Sequence, residues 1–239
     1  MKLLDVQHLD STRDQLRHRL AHLPEAKRLA ELATERADVD GKARDARTRV
    51  EDLTRDQRKA DADVEQVRTR RQRDRDRMEG GLVNNPKDLE HLQAELVSLE
   101  RRIAELEDAE LEVMEALETA QGELAEHQDR LSEIDATIAD TEKLLSEKAG
   151  GVDQQVAETE QERRLTAADL PAELLALYDR LREQKGGVGA AALHARQCGG
   201  CSLELNAADL AVIARAPSDE VLRCEECNRI LVRTSESGL

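Results

Sequence analysis

The sequence contains no Trp and no Phe, and Tyr178 is its only aromatic residue. Without large apolar anchors, a thick globular core is hard to build. Charged residues make up 37% of the chain and its mean hydropathy is −0.67. That combination leaves two classes open, a disordered chain or long amphipathic helices. No apolar run reaches the roughly 18 residues needed to span a bilayer, which excludes a transmembrane helix. The segment from Met1 to Asp5 has neither the apolar stretch nor the small-residue cleavage site of a secretion signal, so the expected location is the cytoplasm. Thiols there stay reduced and favour metal over disulfides. A Gly-rich phosphate loop, an HExxH pair, a nucleophile elbow and a catalytic triad are all missing.

Periodicity decides between disorder and helix. Stepping by four and three from Leu92 passes through Leu96, Leu99, Ile103, Leu106 and onward to Val152, and fourteen of these eighteen positions are apolar. A 4-3 repeat sustained over eight heptads is the seam of a coiled coil. The N-terminal half repeats the spacing with smaller residues, at Val39, Ala43, Ala46, Val50, Leu53, Gln57, Ala60, Val64 and Val67. Val6, Leu9, Leu16 and Leu20 form an earlier seam whose register is lost at Pro24. A proline removes a backbone donor, so a break is expected over His22–Pro24. Gly150-Gly151 is expected to loosen the far end of the long seam.

Between the arms, Glu79-Gly80-Gly81-Leu82-Val83-Asn84-Asn85-Pro86 combines a glycine helix stop with a proline restart. Arms of similar length about one turn predict an antiparallel hairpin. Residues 1–78 hold 20 basic and 17 acidic residues, a net of +3, whereas residues 87–165 hold 8 and 23, a net of −15. Complementary flanks of this kind favour pairing of the two arms with each other. Six arginines, Arg68, Arg70, Arg71, Arg73, Arg75 and Arg77, cluster just before the turn. They read either as cross-arm partners for acidic residues such as Asp88, Glu90 and Glu95, or as a basic patch for phosphate or an acidic protein. No aromatic residue interleaves with them, which argues against base stacking.

Beyond residue 165 the heptad ends. Asp169-Leu170-Pro171 is expected to cap a helix running to about Glu183, and Gly186-Gly187 to break it. A strand is expected within Val188–Ala195. The spacing Cys198-x2-Cys201, then 22 residues, then Cys224-x2-Cys227 is that of two zinc knuckles. Each turn presents two sulfurs, and the pair supplies a tetrahedral four-thiolate set. The residue after each knuckle favours a left-handed backbone, which Asn228 tolerates and Ser202 suits less well. Ser202–Leu205 reads as a strand, Asn206 as the cap of a helix ended by Pro217, and Val221–Arg223 and Arg229–Arg233 as strands. Arg223 and Arg229 flank the second knuckle, where they either offset its charge or face a phosphate. Four thiolates fill the coordination sphere, so one structural zinc per chain is expected rather than a catalytic one. His18 and His22 stand four apart but read as ordinary polar residues.

The Val83-Asn84-Asn85-Pro86-Lys87-Asp88-Leu89 turn, the Leu170-Pro171…Leu174…Tyr178 helix and the Cys227-Asn228-Arg229-Ile230-Leu231 ending together resemble the bacterial C4-type zinc-ribbon domain proteins, formerly a domain of unknown function. The family's Asn-Pro-Lys-Glu type of turn reads Asn85-Pro86-Lys87-Asp88 here. The resemblance implies a coiled-coil hairpin, a C-terminal ribbon and no established enzymatic activity. It also implies adaptor roles, which in some members concern secretion components, an alternative sigma factor or messenger RNA. The expected fold is mainly α, with a long antiparallel coiled-coil hairpin over 1–165, a turn near 79–86, and a short helix plus a small α+β four-cysteine ribbon over 166–239. The expected function is a non-enzymatic adaptor binding a protein partner, with binding of RNA or DNA as the alternative. Membrane insertion is not expected, and both a monomer and a homodimer stay open.

Overall fold

The computed structural model describes residues 2–81 and 83–239. Leu82, inside the expected turn, and Met1 lie outside the described residues. Helix α1 spans Lys2–Ala21, α2 Pro24–Glu79, α3 Pro86–Ala167 and α4 Ala172–Gln184. Strands β1 (Ala190–His194) and β2 (Gln197–Cys198), helix α5 (Ala207–Arg215), and strands β3 (Leu222–Arg223) and β4 (Ile230–Val232) complete the chain. The fold is the expected one, a long helical hairpin followed by a small strand region carrying the cysteines.

Contacts group the chain into two compact units, Met1–Lys27 with Thr141–Leu239, and Arg28–Asp140. This grouping differs from a linear division at 165/166 because α1 packs against β1 and so joins the C-terminal region.

In the unit 28–140, α2 and α3 run antiparallel. Arg36 pairs with Asp135, Arg49 with Glu123, Arg68 with Glu107 and Arg70 with Glu95, so partner numbers fall on α3 as they rise on α2. Expected seam residues are buried on both arms, Val39, Ala43, Ala46 and Val64 of α2 and Leu92, Leu99, Ile103, Leu117, Ala120 and Ile134 of α3, and Leu32, outside the expected seam, is buried with them. Alanines on α2 facing leucines and isoleucines on α3 match small to large across the seam. Exposed ion pairs of this kind stabilise little, but they fix register. The Arg36 guanidinium, by its hydrogen bond, holds the Asp135 carboxyl below the usual carboxylate range.

The second unit contains the break near Pro24, which opens α2 where a missing N–H costs nothing. No loosening occurs at Gly150-Gly151; α3 continues unbroken to Ala167 because neighbouring turns carry it past two glycines. The capping expected from Asp169 is also absent. Pro171 occupies the cap without a side-chain bond, and Asp169 instead pairs with Lys2. Leu3 and Val6 of α1 pack with Ala167, Tyr178, Leu181, Ala190 and Ile230, so α1, α3, α4 and the sheet share one core.

At its centre lies Asp10, 1% exposed. Its carboxylate accepts from the Tyr178 hydroxyl at 2.9 Å and from Arg163 Nε at 3.2 Å, with Arg13 at 3.3 Å and Arg182 at 3.7 Å. One turn earlier, the Gln7 amide oxygen accepts from the backbone N–H of Gly189 at 2.7 Å and Ala190 at 3.3 Å, and its NH2 donates to Gly187 O at 2.9 Å. Gly189 cannot be enlarged, since a Cβ there would lie 2.6 Å from the Tyr178 carbonyl oxygen. The sheet has the order β2-β1-β4-β3, with β1 and β4 parallel and both outer pairs antiparallel.

Removing Asp10 takes the one fully buried carboxylate from three guanidinium groups and leaves them only the more exposed Asp14 and Asp179. Asp10→Ala should therefore lower stability of this unit by about 3 kcal/mol, against about 1 kcal/mol for Tyr178→Phe, in thermal unfolding and amide exchange. Burial, and then the bond to Asp10, raise the Tyr178 hydroxyl far above its ordinary value of 10. The folded state thus keeps a proton that the unfolded chain loses. Stability from this group is complete below about pH 10 and declines as pH climbs above it. Tyr178→Phe should flatten that alkaline decline; an unchanged slope would place its origin elsewhere.

Candidate metal centre

The first knuckle follows a two-residue hairpin turn from β1 into β2, and the second follows β3. Each closes with the same backbone bond, Ser202 N–H to Cys198 O at 2.7 Å and Asn228 N–H to Cys224 O at 2.8 Å. Both closing residues are left-handed, Ser202 at φ 60° and Asn228 at φ 64°. In the first knuckle the Gly200 N–H points at Cys198 Sγ, 3.4 Å away. A Cβ on Gly200 would meet Arg229 Cδ at 2.6 Å.

These turns bring Cys198, Cys201, Cys224 and Cys227 together, their sulfurs all within 4.8 Å of one another. Cys198 Sγ lies 3.8 Å from Cys227 Sγ, and Cys201 Sγ lies 3.9 Å from Cys224 Sγ. A tetrahedral zinc with Zn–S bonds of about 2.3 Å would separate its sulfurs by about 3.8 Å. The donor set therefore fits a four-thiolate metal. Cys198 and Cys224 are buried while Cys201 and Cys227 are partly open. Burial pushes the Cys198 thiol up and raises Cys224 to about 12. Burial also works to raise Cys227, but donors from the Arg229 backbone and side chain and the neighbouring thiols outweigh it and bring Cys227 down to about 7.

The sulfurs stand on a core of their own. Leu193, Leu205, Leu210, Ile213, Leu222 and Leu231 pack around Cys198 and Cys224. Helix α5 is capped as expected, with Asn206 Oδ1 accepting from Ala208 and Asp209 N–H at 3.0 and 2.9 Å. The strand expected at Ser202–Leu205 is not one; it makes a single bridge, Gln197 to Glu204, because left-handed Ser202 turns the chain out of register. The β1–β2 turn was not legible in sequence. Ala195 (φ 44°) and Arg196 (φ 67°) occupy positions that normally favour Asn-Gly, and their N–H groups donate to Glu236 O and Ser237 O of the C-terminal tail.

The arginines singled out in sequence fall into two groups. Arg68 binds Glu107, Arg70 binds Glu95 and Asp74, Arg75 binds Glu79, and Arg77 binds Asp74. Of Asp88, Glu90 and Glu95, Glu95 is the one that pairs with these arginines among the described residues. Among the described residues, Arg71 and Arg73 make no ion pair, and Arg71 Nε is buried without a partner. In the ribbon, Arg229 donates to Val188 O at 2.9 Å and Lys185 O at 2.8 Å, and Arg223 to Asn228 O at 3.3 Å. His18 and His22 stack with ring centroids 4.1 Å apart, and His22 Nδ1 lies 2.8 Å from His18 O. They belong to no metal-ligating group among the described residues.

With this geometry in view, residues 6–186 match the CT398-like coiled coil hairpin domain family, and residues 197–231 match the C4-type zinc ribbon domain. The uncharacterized protein Rv2229c of Mycobacterium tuberculosis is 35% identical over 231 residues, 97% of this chain and 94% of the relative. A solved structure from Mycobacterium smegmatis is similar at 31% identity and TM-score 0.81, covering 98% of this chain and 96% of that one. CT398 from Chlamydia trachomatis shares the fold at 18% identity and TM-score 0.66, over 98% and 96% of the two chains. The matched families are a coiled-coil hairpin domain and a zinc ribbon domain. Among the described residues, no helix is long and apolar enough to cross a membrane.

The left-handed position at Asn228 gives a local test. Asn228→Ala should destabilise the ribbon by about 1 kcal/mol, while Asn228→Gly should be neutral, when exchange protection of β4 amides is compared. Equal effects of both would mean that the Asn side chain, not the backbone angle, matters.

Proposed function

The chain belongs to the CT398-like coiled coil hairpin family and carries a C4-type zinc ribbon, and we propose that it is a non-enzymatic scaffold whose hairpin meets protein partners. In this reading, one structural zinc ion staples the ribbon. The observation that carries it is the closed set of four sulfurs, with two of them buried. Zinc held there would supply a four-point crosslink between two turns far apart in sequence, with no position left for water. The ribbon's own core is small, six leucine and isoleucine side chains around the sulfurs, and the crosslink becomes folding free energy. Metal binding requires all four thiols deprotonated, which is hardest at the buried Cys224.

The reading as an RNA- or DNA-binding regulator needs free guanidinium groups. Four of the six arginines before the turn already hold carboxylates, and Arg223 and Arg229 hold backbone carbonyls. Only Arg71 and Arg73 of that set remain to face a partner. A chain of net charge −16 adds a repulsive background for any phosphate backbone.

Protein purified without chelator should contain about one zinc per chain, and a value well below one would sink the structural assignment. Cys224→Ser should release the segment beyond about residue 195 while leaving far-UV helicity largely intact, since the α2–α3 seam does not include the ribbon. Oligonucleotide titrations across a range of salt should show binding no tighter than about 10⁻⁴–10⁻⁶ M at physiological salt. Tight binding that falls steeply with salt and is lost in Arg71→Glu/Arg73→Glu would move the function to nucleic acid.

A further inference from the structure

At four places along the hairpin, α2 arginines neutralise α3 carboxylates: Glu95, Glu107, Glu123 and Asp135. Between the second and third of these, a run of α3 carboxylates is left without such partners. Asp108, Glu112, Glu115 and Glu118 make no ion pair among the described residues, although Arg55 and Arg58 lie on the stretch of α2 bracketed by the Arg49–Glu123 and Arg68–Glu107 pairs. Among them sit Leu111 and Met114, 55% and 42% exposed. Two further exposed residues, Val97 (58%) and Ala104, precede Leu111 at intervals of seven. Seven-residue spacing places all three on one face of a helix. That face is not the intramolecular seam, whose buried residues are Leu92, Leu99, Ile103 and Leu117. Leu111 and Met114 border a groove of about 520 Å³ whose far wall is Gln57 of α2. Three of the nine large apolar side chains left exposed among the described residues, Val97, Leu111 and Met114, fall on this one stretch of α3.

Its surroundings decide what covers it. Residues 97–121 contain eight acidic residues against Arg101 and Arg102, and Arg102 is already bonded to Glu105. A phosphate backbone or an anionic bilayer would be repelled. A second copy joined by a two-fold axis would set this acidic band against itself, a like-charge contact that costs association. The heptad interval suits a helix rather than an extended strand. We infer that the Val97–Ala104–Leu111–Met114 stripe is a docking surface for a basic amphipathic helix of a partner protein. This rests on the scaffold reading and assigns it a surface and a partner chemistry. The stripe is on the order of 30 Å long, the length of about three helical heptads. Apolar residues of the partner would fill the Leu111–Met114 groove, and lysines or arginines beside them would meet the four unpaired carboxylates.

The probe is a fluorescent three-heptad peptide with Leu at the a and d positions and Lys elsewhere, paired with an otherwise identical peptide carrying Glu for Lys. Full-length, zinc-loaded protein should bind the Lys peptide at least about tenfold more tightly than the Glu peptide in anisotropy titrations. Leu111→Ser/Met114→Ser, which touches only exposed positions, should weaken that binding about tenfold. Leu144→Ser, an equally exposed leucine on the same helix, should leave it unchanged. Photo-leucine in the peptide should crosslink within residues 97–118. Undiminished binding by the double variant, or adducts elsewhere on the chain, would overturn the assignment; adducts near Arg71 and Arg73 would do so while leaving the scaffold reading standing. Sedimentation showing a wild-type dimer that the double variant abolishes would make a second copy the occupant, and would equally overturn it. Zinc content and far-UV helicity measured on the same samples separate a lost surface from a lost fold.

Discussion

A single buried carboxylate ties together segments from both ends of the chain. Asp10 lies on α1, yet its partners Arg163, Tyr178 and Arg182 belong to α3 and α4. Charge buried without partners would be expelled, so Asp10 and the guanidinium groups around it are only compatible with the arrangement that brings them together. Gln7, one turn before, extends the same face to the backbone of Gly189 and Ala190 at the entry to β1. The start of the sheet is therefore set by the first helix, through atoms that can pair in one way. An apolar contact of equal area would tolerate sliding; this polar one does not.

Two other kinds of cohesion act further out. The hairpin holds by a narrow seam in which alanines of α2 face larger residues of α3, with charges setting register. The ribbon has short strands, two of them only two residues long, and a core of five leucines and Ile213 around two sulfurs. Neither the seam nor the ribbon contains an aromatic residue. The only one in the chain, Tyr178, is placed where its hydroxyl completes the Asp10 cluster and its ring fills the shared core.

Features fixed by short-range chemistry were legible in sequence. The 4-3 spacing located both arms, Pro24 located the break, Asn206 its cap, and the CxxC pairs the sulfur cluster with Ser202 and Asn228 left-handed. What escaped depends on partners distant in the chain. Asp10 follows Val6 by four residues and so shares its face, but a charged residue there looks solvated unless α3 and α4 are already in place. The Ala195-Arg196 turn carries no turn-forming residue; the C-terminal tail supplies acceptors for its N–H groups, a compensation visible only in three dimensions. Gly150 and Gly151 misled in the opposite sense, since the ladder of an 82-residue helix outweighs the local propensity of two positions. The arginine cluster was ambiguous because which carboxylate each reaches depends on the register of the opposing helix.

That register bears on which surfaces are left for partners. Each cross-hairpin pair removes one positive and one negative group from the exposed electrostatics. Four of the six arginines before the turn hold carboxylates, two across the hairpin and two within α2, so the most concentrated basic run in the sequence is largely paired in the fold. Between Glu107 and Glu123, by contrast, acidic side chains outnumber the α2 arginines that reach them, and the surplus collects beside Leu111 and Met114. A run of like charge in sequence is thus a poor guide to where a charged surface forms in a two-helix hairpin. The difference between the two helices at each register position is the better one, and it points to the middle of α3 rather than to the arginines.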